Sequence, residues 1–350
     1  MDDSFRYIPC GVYTVIITKN ENTINNENRK NIVFPLTALY RGNEFIVKGI
    51  VYNQDDTLVN ITMLMYNNIT YIVGQRIKAK EFDPVLEHEN TEGIKYYKTL
   101  VSALMCDEAI LHKIFYDGQF MNYYNNGSVY TVGNFKNGKL HGTYTNFYPY
   151  DPKTDTANEK YTCNFINGLK DGEQRDYYEN RDIKSIRNYK LGILNGRSGD
   201  FWKHKRQKTV MNYVSGKLEG QYVEFYNGKH NPIKVFGTMK NNQKDGIWTY
   251  GSKSGNISKK GIYIMDKMIG LWTEYYGENI IRGKGDYKND ICCEYKEYFI
   301  DGKLKSKGMK NHDLKVGKWS DYNRMGYVWR EVYYSKKGVI KNIIKLGPVG

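Results

Sequence analysis

Residues 240–250 read KNNQKDGIWTY, and the glycine within this stretch belongs to a series that recurs about every two dozen residues. The members of the series, called the anchor glycines below, are Gly118, Gly142, Gly172, Gly196, Gly220, Gly246, Gly270 and Gly317. Their spacings are 24, 30, 24, 24, 26, 24 and 47 residues, and the last interval is two steps with Glu294 in the middle. Self-similarity at such a period predicts a repeat array.

Each repeat carries further positions at fixed distances from its anchor glycine. Four residues before the anchor stands a residue that tolerates positive φ, namely Gly138, Gly168, Gly192, Gly216, Asn242, Asp266, Asp290 or Asp313. Five or six residues after the anchor come aromatic residues, which include the ladder Tyr124, Tyr148, Tyr178, Trp202, Tyr226 and Tyr276. Tight-turn residues between aromatic runs are typical of β-hairpins, so we expect one hairpin per unit and place the anchor glycines in the turns.

The repeat region resembles the MORN-repeat family, in the variant Asp-Gly-x-Trp-x-x-Tyr-Tyr-x-x-Gly. The best matches are Lys244–Trp248, Gly270–Tyr276 and Gly317–Trp319, and the resemblance covers roughly residues 115–335. It implies hairpins stacked into one long, twisted antiparallel sheet. Two units depart from the pattern: one carries about six extra residues around 149–152, which predicts a loop, and the unit at Glu294 is degenerate, which puts its local stability in doubt.

The fold class that we predict is mainly all-β, an elongated single-layer antiparallel sheet of hairpin repeats preceded by a small β domain and one capping helix. The predicted divisions are a β domain over 1–76, a linker and helix over 77–112, about nine repeats over 113–335, and a tail over 336–350. Within the first division we predict strands at Val12–Thr18, Ile32–Tyr40, Glu44–Tyr52, Thr57–Met65 and Ile69–Val73.

One amphipathic helix is predicted, from about Lys95 to His112, because Tyr97, Leu100, Leu104 and Leu111 fall on one face. It directly precedes the first repeat. The open edge of a sheet invites pairing with another chain, so we expect this helix to cover the first hairpin. Binding of a partner by the helix is the alternative.

Charge divides the chain unevenly. Residues 1–110 hold 11 Lys/Arg and 14 Asp/Glu, a net of −3, whereas residues 111–350 hold 41 and 24, a net of +17. The five cysteines show no disulfide framework or metal-ligand spacing, and the N-terminus lacks an apolar signal core. We therefore expect an intracellular protein that is not secreted, without metal or cofactor.

The repeat lysines and aromatics are the candidate binding groups. Two basic clusters stand out as contacts for an anionic surface: Lys203, Lys205, Arg206 and Lys208, and then Lys303, Lys305, Lys307 and Lys310. A solvated face that keeps the sheet soluble is the alternative interpretation. The aromatic ladder is expected to pack between hairpins, with part of it left exposed for a partner.

No catalytic pattern is found. Residues 133–139 fit the first seven positions of a phosphate-binding loop, but Leu140 stands where Ser or Thr should follow and no helix begins there. We interpret this segment as a repeat turn. The histidines His141, His204, His230 and His312 share no repeat position, so an enzyme is not expected.

The function that we predict is a non-enzymatic scaffold for a protein partner or for a second copy of itself. The alternative is a peripheral membrane adaptor that binds anionic lipid through its basic repeats; nucleic acid is not favoured, because RNA-binding modules carry dedicated aromatic motifs that this sequence lacks. The composition also resembles repeat proteins that giant DNA viruses encode in many copies, which implies host cytoplasm or a virion as the location.

Overall fold

The structure is a computed structural model that describes residues 4–54, 57–59, 61–107, 111 and 116–346. It is nearly all β, as predicted, and holds a large antiparallel sheet and a smaller one. The chain divides into two compact units, which are residues 1–183 with 189–192, and residues 184–188 with 193–350.

The first unit begins with a seven-stranded sheet and a separate two-stranded hairpin. Its strands and one helix are β1 Phe5–Cys10, β2 Tyr13–Thr18, β3 Leu39–Gly42, β4 Glu44–Tyr52, β5 Thr57–Leu58, β6 Met63–Tyr66, β7 Ile69–Ile72, β8 Arg76–Lys78, β9 Ile94–Tyr97 and α1 Leu100–Leu104. The sheet order is β3-β9-β1-β2-β4-β5, with β8 on β4, while β6 pairs β7. Alternating side chains of β2 and β4, such as Ile17 and Phe45, are fully buried and form its core.

The N-terminal predictions are partly wrong. Of the strand predicted over Ile32–Tyr40, only its last two residues lie in β3, and of the helix predicted from Lys95 to His112, the five residues of α1 and Leu111 are helical; residues 108–110 and 112 lie outside the described residues. Ile94–Tyr97 is a strand because Tyr96 and Tyr97 pack into the small sheet, which overrides the helical period. The predicted linker therefore supplies two strands, β8 and β9, to the N-terminal domain.

A loop of the N-terminal domain holds the turn of the first repeat, while Met105 and Leu111, from the segment predicted as the helix, pack with Phe120 and Phe135 of the first hairpin. Backbone N–H groups of Val33 and Phe34 donate to the Asn126 carbonyl at 2.8 and 3.1 Å, and Leu39 donates to Asn125. The guanidinium of Arg29, which is 3% exposed, also donates to the Asn125 carbonyl. The segment predicted as a strand over Ile32–Tyr40 instead donates hydrogen bonds to the carbonyls of this turn.

The large sheet follows chain order from its first strand to its last. Its strands are β10 Gly118–Tyr123, β11 Val129–Lys136, β12 Lys139–Leu140, β13 Gly142–Phe147, β14 Glu159–Ile166, β15 Leu169–Lys170, β16 Gly172–Tyr177, β17 Ile183–Lys190, β18 Ile193–Leu194, β19 Gly196–Trp202, β20 Arg206–Val214, β21 Lys217–Leu218, β22 Gly220–Phe225, β23 Ile233–Lys240, β24 Gln243–Gly251, β25 Ile257–Ile264, β26 Lys267–Gly277, β27 Ile280–Tyr287, β28 Ile291–Tyr298, β29 Leu304–Asn311, β30 Leu314–Tyr322, β31 Val328–Tyr334 and β32 Ile340–Lys345. Pairing along the chain in this way is what stacked hairpins require.

The last strand corrects the predicted tail. Residues 336–350 were assigned to a C-terminal tail, but Ile340–Lys345 pairs in antiparallel register with β31. The degenerate unit at Glu294 also forms: Cys292 and Tyr295 in β28 are 0% and 1% exposed. The predicted loop is present, since residues 149–158 connect β13 to β14 with a bridge between Asp151 and Thr156.

Turn positions agree with the prediction in most units. Two successive residues have positive φ at each of the turns 137–138, 167–168, 191–192, 215–216, 241–242, 265–266 and 289–290, while in the unit of Asp313 the positive φ is at His312. All eight anchor glycines also have positive φ, from 61° to 124°. They do not lie in the turns, however. The seven from Gly142 on stand four residues past a turn residue, at the start or in the middle of the returning strand, and there they permit an irregularity of the ladder; Gly118 begins β10.

Three tryptophans that follow these irregularities form the core of the second unit. Trp248, Trp272 and Trp319 are at most 1% exposed, and each ring lies against a glycine of the preceding strand, Gly237, Gly261 or Gly308. Each indole N–H donates to the carbonyl of the residue after that glycine, at 3.1, 3.2 and 3.0 Å. A lysine ammonium lies 3.9–4.8 Å from the centroid of each of these three rings. Glycine is required because a Cβ would overlap the ring.

We expect Gly261→Ala to lower the free energy of unfolding by about 2–3 kcal/mol, because the added methyl group would overlap atoms of the buried Trp272 ring. Gly228→Ala is the matched control: no atom lies within 4 Å of the added carbon and φ is not positive there, so the change is expected to be neutral. Urea denaturation followed by tryptophan fluorescence measures both. Equal stability of the two variants would contradict the packing described.

Candidate functional site

Ladder tyrosines connect each repeat to the next one through their hydroxyl groups. Tyr124 donates to the Phe147 carbonyl at 2.8 Å and Tyr148 donates to Tyr177 at the same distance. In the second unit Tyr226 donates to the Gly251 carbonyl at 3.3 Å, and Tyr276 donates to Tyr298 at 2.8 Å. These four hydrogen bonds join neighbouring repeats, while the Tyr276 side chain stays 44% exposed. We call the position five or six residues after each anchor, which the ladder residues occupy, a rung.

A second position, across the turn that follows each rung, faces the rung side chain. It is the extra residue of a β-bulge and comes six residues after the rung in most units. Tyr130 lies against Tyr124 at 5.1 Å between centroids, Lys160 lies 5.7 Å from the Tyr148 centroid, and Lys208 lies 4.7 Å from that of Trp202. Aromatic–aromatic or cation–aromatic pairs therefore occupy this part of the repeat.

In one unit, neither the rung nor the residue across the turn is aromatic or cationic. In the repeat anchored at Gly246 the rung is Ser252 and the residue across the turn is Ser258. The other pairs, in chain order, are Tyr124/Tyr130, Tyr148/Lys160, Tyr178/Lys184, Trp202/Lys208, Tyr226/Lys234, Tyr276/Arg282, Phe299/Lys305, Asn323/Trp329 and Ser335/Lys341, and all but the last hold at least one aromatic ring. Gly251, beside the empty rung, stands where other units carry an aromatic residue such as Phe225 or Tyr275.

A groove of about 800 Å³ opens at this gap, within the second unit. Its lining, which also includes Val235, has Gly251 and Ser258 at the gap, four tyrosines, and ten charged side chains: Tyr226, Tyr250, Tyr276, Tyr298, Glu224, Glu274, Glu297, Asp313, Lys234, Lys259, Arg282, Lys305, Lys310 and Lys315. We call it the rung groove. The groove thus coincides with the place where the repeat replaces large residues by small ones.

Glu274 is the electrostatic centre of the groove. Its carboxylate accepts from the Lys310 ammonium at 3.1 Å and from the Arg282 guanidinium. Lys310 is 5% exposed and its ammonium lies 3.6 Å from the Tyr295 centroid. Burial alone would raise the pKa of the Glu274 carboxyl, but the charge of Lys310 and the hydrogen bonds from Arg282 and Lys310 outweigh it and lower the pKa to about 2. The site is therefore ionised at neutral pH.

The remaining carboxylates of the groove are also paired. Lys234 binds Glu224 at 2.7 Å, Lys315 binds Glu297 at 2.7 Å, and Lys259 binds Asp313. Four acids stand against six bases in the lining, which leaves a positive excess of two. Lys305 is exposed and lies 6.0 Å from the Phe299 centroid. The groove therefore offers a preformed, polar and slightly cationic surface.

The two predicted basic clusters are not single surfaces. Lys203 and Lys205 lie exposed in the turn between β19 and β20, whereas Lys208 is half-buried on Trp202. In the second cluster Lys310 is buried in the Glu274 pair, and Lys305 faces the groove while Lys307 lies opposite Lys296 in the ladder of β28 and β29. Lys305 and Lys307 are two residues apart and would share a face of a regular strand, but Lys305 is the extra residue of a β-bulge, which breaks the alternation.

The segment that fits a phosphate-binding loop is part of a hairpin, and the histidines contribute to no metal-like cluster among the described residues. Residues 133–136 end β11, Asn137 and Gly138 make the turn, and Lys139 begins β12, so the interpretation as a repeat turn is confirmed. Throughout the part of the chain that the structure describes, no three His, Cys, Asp or Glu side chains come together as a metal site would require. Of the helices in that same part, none is long and apolar enough to cross a bilayer.

Comparisons with known proteins identify no family. Neither the protein-family models nor the curated proteins give a match. Among solved structures, the crystal structure of TcdB2-TccC3 without its hypervariable C-terminal region aligns over 96% of this chain with 10% identity and a TM-score of 0.16. That of TcdB2-TccC3-Cdc42 aligns over 95% with 11% identity and a TM-score of 0.15. This chain spans about a fifth of those chains, 21% and 20%, and TM-scores this low carry no information on its fold or function.

The pair of Glu274 with its two cations predicts a pH-dependent stability. Its folded pKa of about 2 lies below the ordinary value of 4.5, so its contribution is complete above pH 4.5 and is lost as the pH falls through 2. Glu274→Gln should lower the free energy of unfolding by about 2–3 kcal/mol at pH 7, and the difference from wild type should shrink toward pH 2.

Glu294→Gln is the control, since this exposed carboxylate pairs only with Lys296 at 2.6 Å and should matter little. Urea unfolding at pH 7, 5 and 3 measures the three proteins. A loss for Glu274→Gln that is the same at every pH would show that the ionised carboxylate is not what stabilises the groove.

Proposed function

We propose that the protein is a non-enzymatic scaffold that binds a protein partner through the rung groove of its second unit. The observation that carries the proposal is the coincidence of the groove with the one repeat that lacks both a rung aromatic and its partner. In a repeat array the shared positions build the sheet, so a function specific to this chain has to lie where a unit departs from them.

The physical character of the groove supports a binding role. Its charged side chains are already paired with one another, so binding does not have to neutralise isolated buried charges. Tyr276 is 44% exposed and offers a rigid amphipathic surface of the kind enriched at protein interfaces. The groove is held between strands of a continuous ladder, which reduces the ordering that binding requires.

The family resemblance belongs to the same proposal. The Asp-Gly-x-Trp pattern at Asp245–Trp248 and the stacked hairpins support assignment to MORN-type repeats, and the lysine-rich, asparagine-rich composition supports an origin in a giant DNA virus. The proposed location is accordingly inside a host cell or a virion. No residue arrangement in the groove supports a catalytic role.

The scaffold proposal predicts that capture of a partner depends on the groove. Lys234→Glu with Lys305→Glu reverses two groove charges, and we expect it to reduce the partner recovered from the native source at least tenfold by quantitative mass spectrometry. The control, Lys336→Glu with Lys337→Glu, makes the same charge change at exposed positions outside the groove lining. Chemical cross-links from the captured partner should map to groove lysines in the wild type.

The proposal fails if both double variants recover the same proteins in the same amounts while circular dichroism shows both folded. It also fails if cross-links from the recovered partner avoid the groove. Binding that persists at roughly 0.5 M salt is expected for a partner that buries apolar surface, because burial is weakly screened.

A peripheral membrane adaptor is the second candidate, and one observation favours it. In the second unit the turns that follow the first strand of each hairpin carry exposed aliphatic residues: Ile193, Val214, Ile264, Met265 and Leu314, which are 46–63% exposed. Exposed lysines flank them, namely Lys217, Lys240 and Lys267. Aliphatic and cationic side chains together suit the interface of an anionic bilayer.

This second candidate predicts sedimentation with vesicles of phosphatidylcholine and phosphatidylserine at low salt, and its loss at about 0.5 M salt. Met265→Asp should weaken sedimentation severalfold because it removes an apolar contact and adds an anion at that edge. Lys205→Glu lies in a turn at the opposite edge of the strands and serves as the control. A larger effect of Lys205→Glu, or no sedimentation of the wild type, would contradict the assignment of this edge.

A further inference from the structure

We propose that the rung groove receives one aromatic side chain from an acidic segment of the partner, so that the partner supplies the rung that the chain lacks at Ser252. This inference rests on the proposed scaffold function and names the chemistry of the partner. Its basis is the juxtaposition of Gly251 and Ser258 in the groove with tyrosine rungs of the preceding and following repeats, Tyr226 and Tyr276.

The shape of the vacancy points to a ring. In two other repeats of this unit the space across the second turn is filled by an aromatic side chain near its partner residue, in the Trp202–Lys208 and Phe299–Lys305 pairs. Ser252 and Ser258 carry only hydroxymethyl groups, and Ser258 lines the groove together with Gly251, the residue before Ser252. A planar ring inserted there would rest on the same kind of surface that the repeat provides for its own rings.

Hydrogen-bonding groups for such a ring are already in place. A built-in rung donates its hydroxyl to the carbonyl of the next repeat, as Tyr226 does to Gly251 and Tyr276 does to Tyr298. By the same geometry a rung at position 252 would reach the carbonyl of Tyr275. A tyrosine, which has both the ring and a hydroxyl donor, therefore matches the vacancy better than a phenylalanine.

The charge of the groove indicates which partner residues would lie on either side of the inserted ring. The groove lining has six cations against four carboxylates, and Lys305 is exposed with no carboxylate partner among the described residues. Two of these six cations, Lys234 and Arg282, flank the gap on the two neighbouring repeats, where they pair with Glu224 and Glu274. Acidic residues next to the inserted ring would therefore be attracted, whereas basic ones would be repelled.

A peptide is favoured over a nucleic acid by the number of vacancies. Binding of single-stranded nucleic acid relies on successive aromatic surfaces for successive bases along a cationic path. Here one rung is empty, and Glu274 and Glu297 lie in the groove, where they would oppose a continuous phosphate backbone. One ring with anionic neighbours on a flexible chain satisfies both constraints.

Isothermal titration calorimetry with blocked pentapeptides tests the inference on the full-length protein. The probe is Asp-Glu-Tyr-Glu-Asp; the comparisons are Asp-Glu-Ala-Glu-Asp, which lacks the ring, and Asn-Gln-Tyr-Gln-Asn, which lacks the charges. We expect the alanine peptide to bind at least tenfold more weakly, and the neutral peptide severalfold more weakly at low salt. Equal affinity of the tyrosine and alanine peptides overturns the inference, and so does tighter binding of an oligothymidine ten-mer.

Ser252→Tyr fills the vacancy from within and should abolish binding of the tyrosine peptide. Ser254→Tyr adds the same residue at an exposed position two residues further on and should leave binding unchanged. Unaltered binding by Ser252→Tyr overturns the inference. Should Ser252→Tyr fail to fold, the peptide comparison on the wild type still decides. Loss of this inference with continued groove-dependent capture would leave the scaffold function standing, whereas loss of both would remove it.

Discussion

The close contact between an indole ring and a glycine of the preceding strand is the constraint on which the second unit depends. A sheet made of hairpins gains little from any one pair of strands, because each strand touches only its neighbours. By removing the Cβ at Gly237, Gly261 and Gly308, the sequence lets each indole lie flat on the backbone and hydrogen-bond to it. The lysine stem above each ring completes its burial, so a large side chain becomes inaccessible on a sheet face.

The groove forms where one repeat lacks the large side chains that other repeats carry. Beside the Tyr124/Tyr130 pair, where both positions carry rings, the groove is smaller, about 420 Å³. Where one unit carries Gly251, Ser252 and Ser258, the tyrosines before and after it remain but nothing fills the interval between them. The Glu274–Arg282 pair joins the adjacent strands β26 and β27, whereas the Glu274–Lys310 pair reaches β29, which is not a neighbour of β26; together they hold the charged lining in place.

The period of the glycines was enough to predict hairpins, turns and an all-β class, because positive φ and alternation are local properties of the chain. The position of the anchor glycines was misjudged, since a glycine with positive φ at a β-bulge has the same signature as one in a turn. The N-terminal errors have a different cause. Tyr96 and Tyr97 have a helical period with Leu100 and Leu104, but their burial in the small sheet is a tertiary effect that no local pattern reports.

In the sequence, the candidate site is visible only as a repeat that lacks the aromatic residue of the ladder. The aromatic ladder was recognisable, yet the gap at Ser252 became informative only when bulge pairing brought Ser258 opposite it. Likewise, Lys310 looked like one of a cluster of surface lysines, and only the fold places its ammonium between Glu274 and the Tyr295 ring. Spacing along the chain therefore predicts the regular parts of this sheet and leaves its exceptions to be located in three dimensions.

The tyrosine rungs have one more property, which is direction. Every hydroxyl whose bond is described here reaches forward, from Tyr124 to Phe147 and from Tyr276 to Tyr298, and so ties a repeat to its successor. The series is interrupted at Trp202 and Phe299, which have no hydroxyl group, and at Ser252, where the hydroxyl is used within its own turn. Neighbouring hairpins on the two sides of that residue are thus joined by one fewer cross-strand fastener. Under mechanical load, or during stepwise melting, the array has a built-in seam there.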